Sequence, residues 1–408
     1  MDPSISIPVG TGAWRVRVAA GRQVPVHRRR RPRSDAAPLE LLAAALDRPD
    51  GIDAPLRQAF TPDDRVTIVV DEQLPGIGEL LRGFLEHIAP ARIDPRNVTL
   101  LVANSGPQLW LEELPDEYGD IHVEVHNPTD REKLAYLATT KGGRRVYLNR
   151  TLVDADAVVV LSARRFDAIL GYAGGEAAVF PALADEEAQK ALAAEYRKEA
   201  TRKHRARWRN EALEVLALLG SSFLVQVVEA ERGGVAAILV GMAGSVKPGI
   251  ELLREHWLGT VDAPADLVVA SVSGPTDSTT FGDLSAALAN GKRVLASQGR
   301  LILLTEAAPA LDDAAEILRK AGSPAAALKK LTTATDAEPN AAVRWARSAT
   351  DSHLFVKSGW PADVVEDLFA TPLKSEGELQ RLIDAAERVA ILPDAHRMRA
   401  KTADAEGD

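Results

Sequence analysis

The chain has 408 residues, with 49 Lys plus Arg against 58 Asp plus Glu and no cysteine. The net charge of −9 argues against a nucleic-acid binder that works by bulk charge. The lack of thiols excludes disulfides, thiolate metal sites and cysteine nucleophiles. At 46% hydrophobic residues the sequence can fill the cores of two or three domains, the number its length suggests. No apolar run approaches the roughly 18 residues of a spanning helix. The start, Met1-Asp2-Pro3, has no signal-peptide core, so a cytoplasmic protein without a membrane partner is expected.

In chain order, the first sixty residues read as irregular, apart from a short helix at Pro38–Leu46. Their cationic run, His27-Arg28-Arg29-Arg30-Arg31-Pro32-Arg33, reads as a solvated loop in an otherwise acidic chain. From Asp63 strands and helices alternate. Arg65–Val70, Val98–Ala103, Ile121–Val125, Arg144–Leu148 and Ala157–Leu161 are short apolar runs bounded by turn residues, and Ile77–His87 has a helical pattern. Such alternation implies βαβ units and a largely parallel sheet. Asp185–Leu219 reads as one long helix ended by Gly220, and Ser222–Val228 with Val235–Gly241 as an antiparallel hairpin. Ala243–Trp257 reads as a helix.

Val261–Ala265 reads as a linker, after which a second α/β pattern begins. Its strands are Leu267–Ser271, Leu301–Thr305, Leu354–Val356 and Val389–Leu392. Its helices are Thr280–Leu288, Asp312–Ala321, Ala341–Ala349 and Glu376–Arg388. The expected architecture is therefore two α/β domains with mostly parallel sheets and a cleft between them. Residues 1–260 form the first domain, residues 266–394 the second, and residues 395–408 a disordered tail. Ligands on such sheets bind at the carboxyl ends of the strands. That directs attention to the loops Asp71–Pro75 and Asn104–Pro107.

No P-loop, Rossmann glycine spacing, GxSxG or HExxH motif is present. The most informative stretch is 149–181, where a buried strand runs into a glycine-containing turn. Its pieces, taken with others, resemble the nickel-dependent lactate racemase family. An Asp-x-x-Arg-Pro loop corresponds to Asp71-Glu72-Gln73-Leu74-Pro75, and a Thr-His-Arg loop to Asn104-Ser105-Gly106-Pro107-Gln108. The Asn-Arg and Ala-Asp pairs stand at Asn149-Arg150 and Ala155-Asp156. The Pro-His to Gly-Gly-x-Lys segment stands at Asp167 to Ala177, with Gly174-Gly175 kept. The second-domain loop is similar to Ala270–Asp277, and the closing Val-Leu-Pro-Asp to Ile391-Leu392-Pro393-Asp394. The shared order spans roughly Val66 to Asp394.

The resemblance implies a 2-hydroxy-acid racemase or epimerase, an isomerase whose lysine-tethered pincer nucleotide holds nickel and whose two imidazoles serve as alternating base and acid. Here those imidazole positions fall on Gly106 or Pro107 and on Asp167, the tethering lysine on Ala177, the loop arginine on Leu74, and the second-domain lysine on Thr276 or Asp277. A degenerate active site is expected, with no covalently attached pincer nucleotide. The resemblance leaves Asp167 and His204 as catalytic candidates, with His204 also near the nickel-ligand position. It leaves Asp71, Gly174, Gly175 and Asp277 for binding a cofactor. A divergent enzyme would draw on the carboxylates of Asp71, Asp167, Glu176 and Asp277, and on His204 or His126 as base. The expected partner is a small molecule, a 2-hydroxy acid or a nucleotide. Two alternatives stand beside this reading: an active nickel-dependent racemase, and a non-catalytic binding or scaffold protein on the same fold.

Overall fold

Strands whose every residue is apolar need cover on both faces, and two such sheets organise this molecule. The computed structural model describes residues 4–103, 108–196, 202–333 and 340–403. The chain opens with a hairpin of β1 (Ser4–Val9) and β2 (Gly12–Arg17), then the two-residue strands β3 (Gln23–Val24) and β4 (Val26–His27). Helix α1 (Pro38–Asp47) leads into the first lobe.

The first lobe contains β5 (Val66–Val70), α2 (Ile77–Ile88), β6 (Val98–Val102) and β7 (His122–Val125). A separate hairpin follows, β8 (Leu134–Thr139) with β9 (Arg145–Asn149), then α3 (Arg150–Val153) and β10 (Ala157–Ala163). A small hairpin of β11 (Arg165–Asp167) and β12 (Gly171–Ala173) precedes α4 (Glu176–Val179), α5 (Glu186–Tyr196) and α6 (Arg202–Leu218). The lobe closes with β13 (Ser222–Glu229) and β14 (Val235–Gly241). Its main sheet has the order β14-β13-β10-β5-β6-β7, parallel except for the antiparallel β13–β14 pair. Ile68, Val70, Val159 and Leu161 face a core shared with α1 and α2. Val69, Val158 and Val160 face the opposite one, with Phe180, Trp208 and Val215. The alternation along each strand is thus apolar on both sides.

The second lobe follows α7 (Val246–Trp257) and β15 (Leu258–Val261). Its elements are β16 (Ala265–Ser271), α8 (Phe281–Lys292), β17 (Leu295–Leu304), α9 (Asp313–Arg319), α10 (Pro324–Thr333), α11 (Asn340–Thr350), β18 (His353–Lys357), α12 (Ala362–Asp367), β19 (Thr371–Pro372), α13 (Glu376–Asp384), β20 (Val389–Leu392) and β21 (Arg399–Thr402). The sheet order is β19-β18-β17-β16-β20-β3, parallel throughout.

The N-terminal segment departs from its expected place. It is not irregular, and it packs on the second lobe. Ile7, Val9, Val16 and Val18 join Leu267, Val269, Ile302 and Ile391 in one cluster, on the sheet face that only α13 would otherwise cover. The backbone of Arg17 exchanges hydrogen bonds with the Gln380 side chain at 2.8 and 2.9 Å. Residues 4–24 thus pack on and pair with the sheet of the second lobe.

The C-terminal residues 395–403 are also ordered, contrary to the expected tail. β21 runs parallel to β15, which pairs on its other side with β4. β15 ends at Val261 and β16 begins at Ala265, so Asp262–Pro264 of the expected linker lie between the two strands. The long helix expected over 185–219 is two helices, with residues 197–201 outside the described part. The arginine run is partly engaged. Arg28 lies 5.2 Å from the Trp257 ring centroid and 3.6 Å from Glu231, and Arg30 pairs with Glu255 at 3.2 Å. No helix among the described residues is long and apolar enough to cross a membrane.

Candidate functional site in the interlobe cleft

The carboxyl ends of β5, β10, β13, β16 and β20 converge between the lobes. The loops that follow them line a cavity of about 480 Å³. From the first lobe come the turn Glu72–Gly76, Arg165 and Glu229. From the second come Ser273, Asp277 to Thr279, Asp283, His396 and Arg397.

A ladder of alternating charge runs along this cleft and crosses from lobe to lobe. Asp71 follows β5 and fixes its turn: its carboxylate accepts from the Gln73 amide (3.0 Å), the Ala163 amide (3.1 Å) and Arg165 Nη1 (2.8 Å). Arg165 Nε donates to Glu229 Oε2 at 3.0 Å. Glu229, the last residue of β13, meets Arg397 Nε at 3.3 Å. Arg397 in turn lies 3.9 Å from Asp394. Asp394 is fully buried at a left-handed φ of 50°. It is held there by the Ser273 amide and hydroxyl (3.0 and 2.7 Å) and the Arg232 amide (3.2 Å).

Burial pushes the Glu229 carboxyl up, but Arg165 and Arg397 together outweigh it and hold the group down at about 2. Burial opposes charge on Arg165 as well; Asp71 and Glu229 overcome it and raise the guanidinium above its ordinary value. Burial, then Arg397, pushes the His396 imidazole down to about 4, against Asp283, Asp394 and Glu229. His396 is therefore neutral near pH 7, and its Nδ1 has no hydrogen-bond partner. Arg397 Nε and Nη1 are likewise buried without hydrogen bonds, although both face carboxylates as ion pairs.

The structure brings two of the sequence-derived candidates to the cleft. Asp71 anchors the ladder and Asp277 sits exposed on the opposite rim. The others lie elsewhere. Asp167 accepts from the amides of Ile169 (2.8 Å) and Leu170 (2.7 Å), closing the β11–β12 turn. His204, on α6, lies 3.9 Å from Glu195 and lines no part of the cleft. Gly174 and Gly175 have φ of 76° and 54°, and they wrap a buried arginine rather than an open space. A Cβ on Gly174 would overlap the Ala163 carbonyl, and one on Gly175 the Arg164 guanidinium. That guanidinium donates to Glu176 (2.6 Å), Gln226 (2.7 Å) and the Gly174 carbonyl (2.8 Å) with no side-chain exposure. His126 is buried against the Ala184 carbonyl at 2.9 Å. The loop at 104–107 lies outside the described residues.

Sequence reasoning missed Arg165, Glu229, His396 and Arg397. One signal was available: Glu229 ends an apolar run, and charges at the ends of buried strands face ligands or partners. Among the described residues, no group of three or more His, Asp or Glu side chains is arranged to hold a metal ion.

Two mostly parallel α/β lobes meeting at a charged cleft on their strand ends define a two-lobed α/β protein with a candidate site between the lobes. Comparison with known proteins narrows this class. Residues 9–201 match the family model of the lactate racemase N-terminal domain. The fold is similar to that of the lactate racemase apoprotein from Thermoanaerobacterium thermosaccharolyticum, with a TM-score of 0.77 at 18% identity over 98% of this chain and 100% of that one. It is also similar to a protein from Thermotoga maritima, with a TM-score of 0.64 at 15% identity over 91% of this chain and 99% of that one. No curated protein sequence matches. Residues 9–201 thus match a lactate racemase N-terminal domain, and the whole chain shares its fold with a lactate racemase apoprotein.

Proposed function

We propose that this protein keeps the racemase frame and an interlobe site for a small 2-hydroxy-acid-like anion, but does not carry a tethered nickel-pincer nucleotide. The observation that carries this reading is the environment of Ala177. It is 8% exposed and packs in the apolar cluster of Val179, Phe180, Leu183 and Trp208. No lysine lines the cleft among the described residues. The residues present do not fit the family's group: Ala177 offers no amine, Arg164 and Glu176 fill the adjoining space, and Asp167 is engaged as a turn cap. What supports a retained anion site is that Arg165 and Arg397 both line the cavity, since a guanidinium presents a fork suited to carboxylates.

The test is co-production with the nickel-cofactor pathway, followed by nickel analysis and chiral chromatography of lactate. The reading predicts far less than one nickel per chain and no racemisation. Stoichiometric nickel with turnover overturns it.

A second reading, acid–base chemistry without a tethered group, is favoured by His396. A neutral imidazole beside an arginine in the cleft can take a proton from an anion that the arginine holds. Uptake of solvent deuterium into 2-hydroxy acids, lost in His396→Gln, supports that reading. No uptake in the parent protein refutes it.

A further inference from the structure

A second cavity, of about 150 Å³, lies beyond the β11–β12 hairpin. Arg165 on that hairpin lines the cleft, whereas its neighbour Phe166 lines this second cavity. The walls carry Arg205 and Arg209 from α6, Arg254 from α7, and Arg399 and Lys401 from β21. Among the described residues lining it there is no Asp or Glu.

Two pairs of these cations are close neighbours on their elements. Arg205 and Arg209 are spaced i, i+4 on one helix face, and like charges at that spacing destabilise a helix. Arg399 and Lys401 are spaced i, i+2 and so share a face of their strand. Arg254 lies 3.8 Å from Glu251, and its Nη1 donates to the Tyr172 hydroxyl at 3.2 Å. Arg209 and Lys401 make no ion pair among the described residues. The aromatic wall is also organised: Phe166 and Tyr172 lie 5.8 Å apart, and the Arg399 guanidinium lies 5.8 Å from the Phe166 ring centroid. In a chain of net charge −9, an acid-free pocket with five cations is a local inversion of the overall charge.

We infer that this pocket binds a small, multiply charged oxyanion of the phosphate class. A single carboxylate would offset only one of Arg209 and Lys401. A phosphate or pyrophosphate group offers two or more charges and several acceptor oxygens to arginine forks. Ring carbons on one wall limit screening and strengthen each contact.

Isothermal titration of the full chain with pyrophosphate, and in parallel with ADP, at fixed ionic strength tests this. The expected result is saturable binding, weakened about tenfold or more in Arg209→Gln and in Lys401→Gln, the size expected when one charge-assisted hydrogen bond is lost. His396→Gln, in the cleft, leaves it unchanged. Equal affinity for the two probes identifies the free anion as sufficient, and tighter ADP binding identifies a phosphate ester; both require the Arg209 and Lys401 dependence. Melting of each variant without ligand confirms that it is folded. No saturable binding overturns the inference. So does binding that both pocket variants leave intact, or binding that His396→Gln alone removes.

Discussion

Arg164 and Glu176 form an ion pair at 2.6 Å with side-chain exposures of 0% and 1%. Charges so deep are retained only when paired and hydrogen-bonded, and removing one partner strands the other. Glu176→Ala is expected to cost about 3–5 kcal/mol in urea unfolding, the usual range for breaking a buried pair. A loss below about 1 kcal/mol, the range of surface pairs, would show that this pair does not hold the glycine turn.

His396 gives a pH signature with a definite sign. Its folded value of about 4 lies below the ordinary 6.5, so between these values the unfolded chain takes up a proton that the folded chain refuses. Stability from this residue is complete above about pH 6.5 and is lost as pH falls toward 4. Glu229, at about 2 against an ordinary 4.5, acts in a lower window: its contribution is full above 4.5 and lost as pH falls toward 2. Melting temperature should therefore fall from pH 7 to pH 5 in the parent protein and fall less in His396→Gln. Equal slopes would contradict the assignment. Neither the Arg164 pair nor the cleft ladder was legible in the sequence. Glu229 stands 64 residues from Arg165 and 168 from Arg397, and only the folded sheets bring them together.

At the scale of elements, legibility followed burial. β5 and β10 are buried at every position, and runs such as VTIVV are readable as central strands without tertiary knowledge. The β1–β2 hairpin was not readable. Its strands alternate apolar and polar residues around a tight turn, but nothing local says that they cover a sheet whose central strands begin at Ala265. That partnership gives a prediction. Val16 is 1% exposed within the second-lobe cluster. Val16→Asp should destabilise the protein by roughly 3 kcal/mol or more, because an unpaired carboxylate would be buried. A change under about 0.5 kcal/mol, typical of an exposed site, would mean that the hairpin does not cover that sheet. The β4–β15–β21 sheet was missed for the same reason. Its three short strands come from both ends and the middle of the chain, and each is stable only beside the others.

At the scale of the molecule, the two lobes are joined by more than a linker. The junction sheet, the Arg28 contacts and the Asp71–Arg165–Glu229–Arg397–Asp394 ladder all bridge them. The chain therefore combines the fold it shares with a lactate racemase apoprotein with a charged interlobe cleft. An alanine packed in the core stands where the resemblance places an amine, and two arginines, one imidazole and four carboxylates line the cleft. Fold alone does not decide between such chemistries. A tether is a covalent bond, so mass reports it directly. The measurement that bears most closely on the central claim is the intact mass of the full chain purified from cells making the nickel-pincer cofactor. The account predicts the mass of the unmodified polypeptide. A population carrying the added mass of a nucleotide adduct would contradict it.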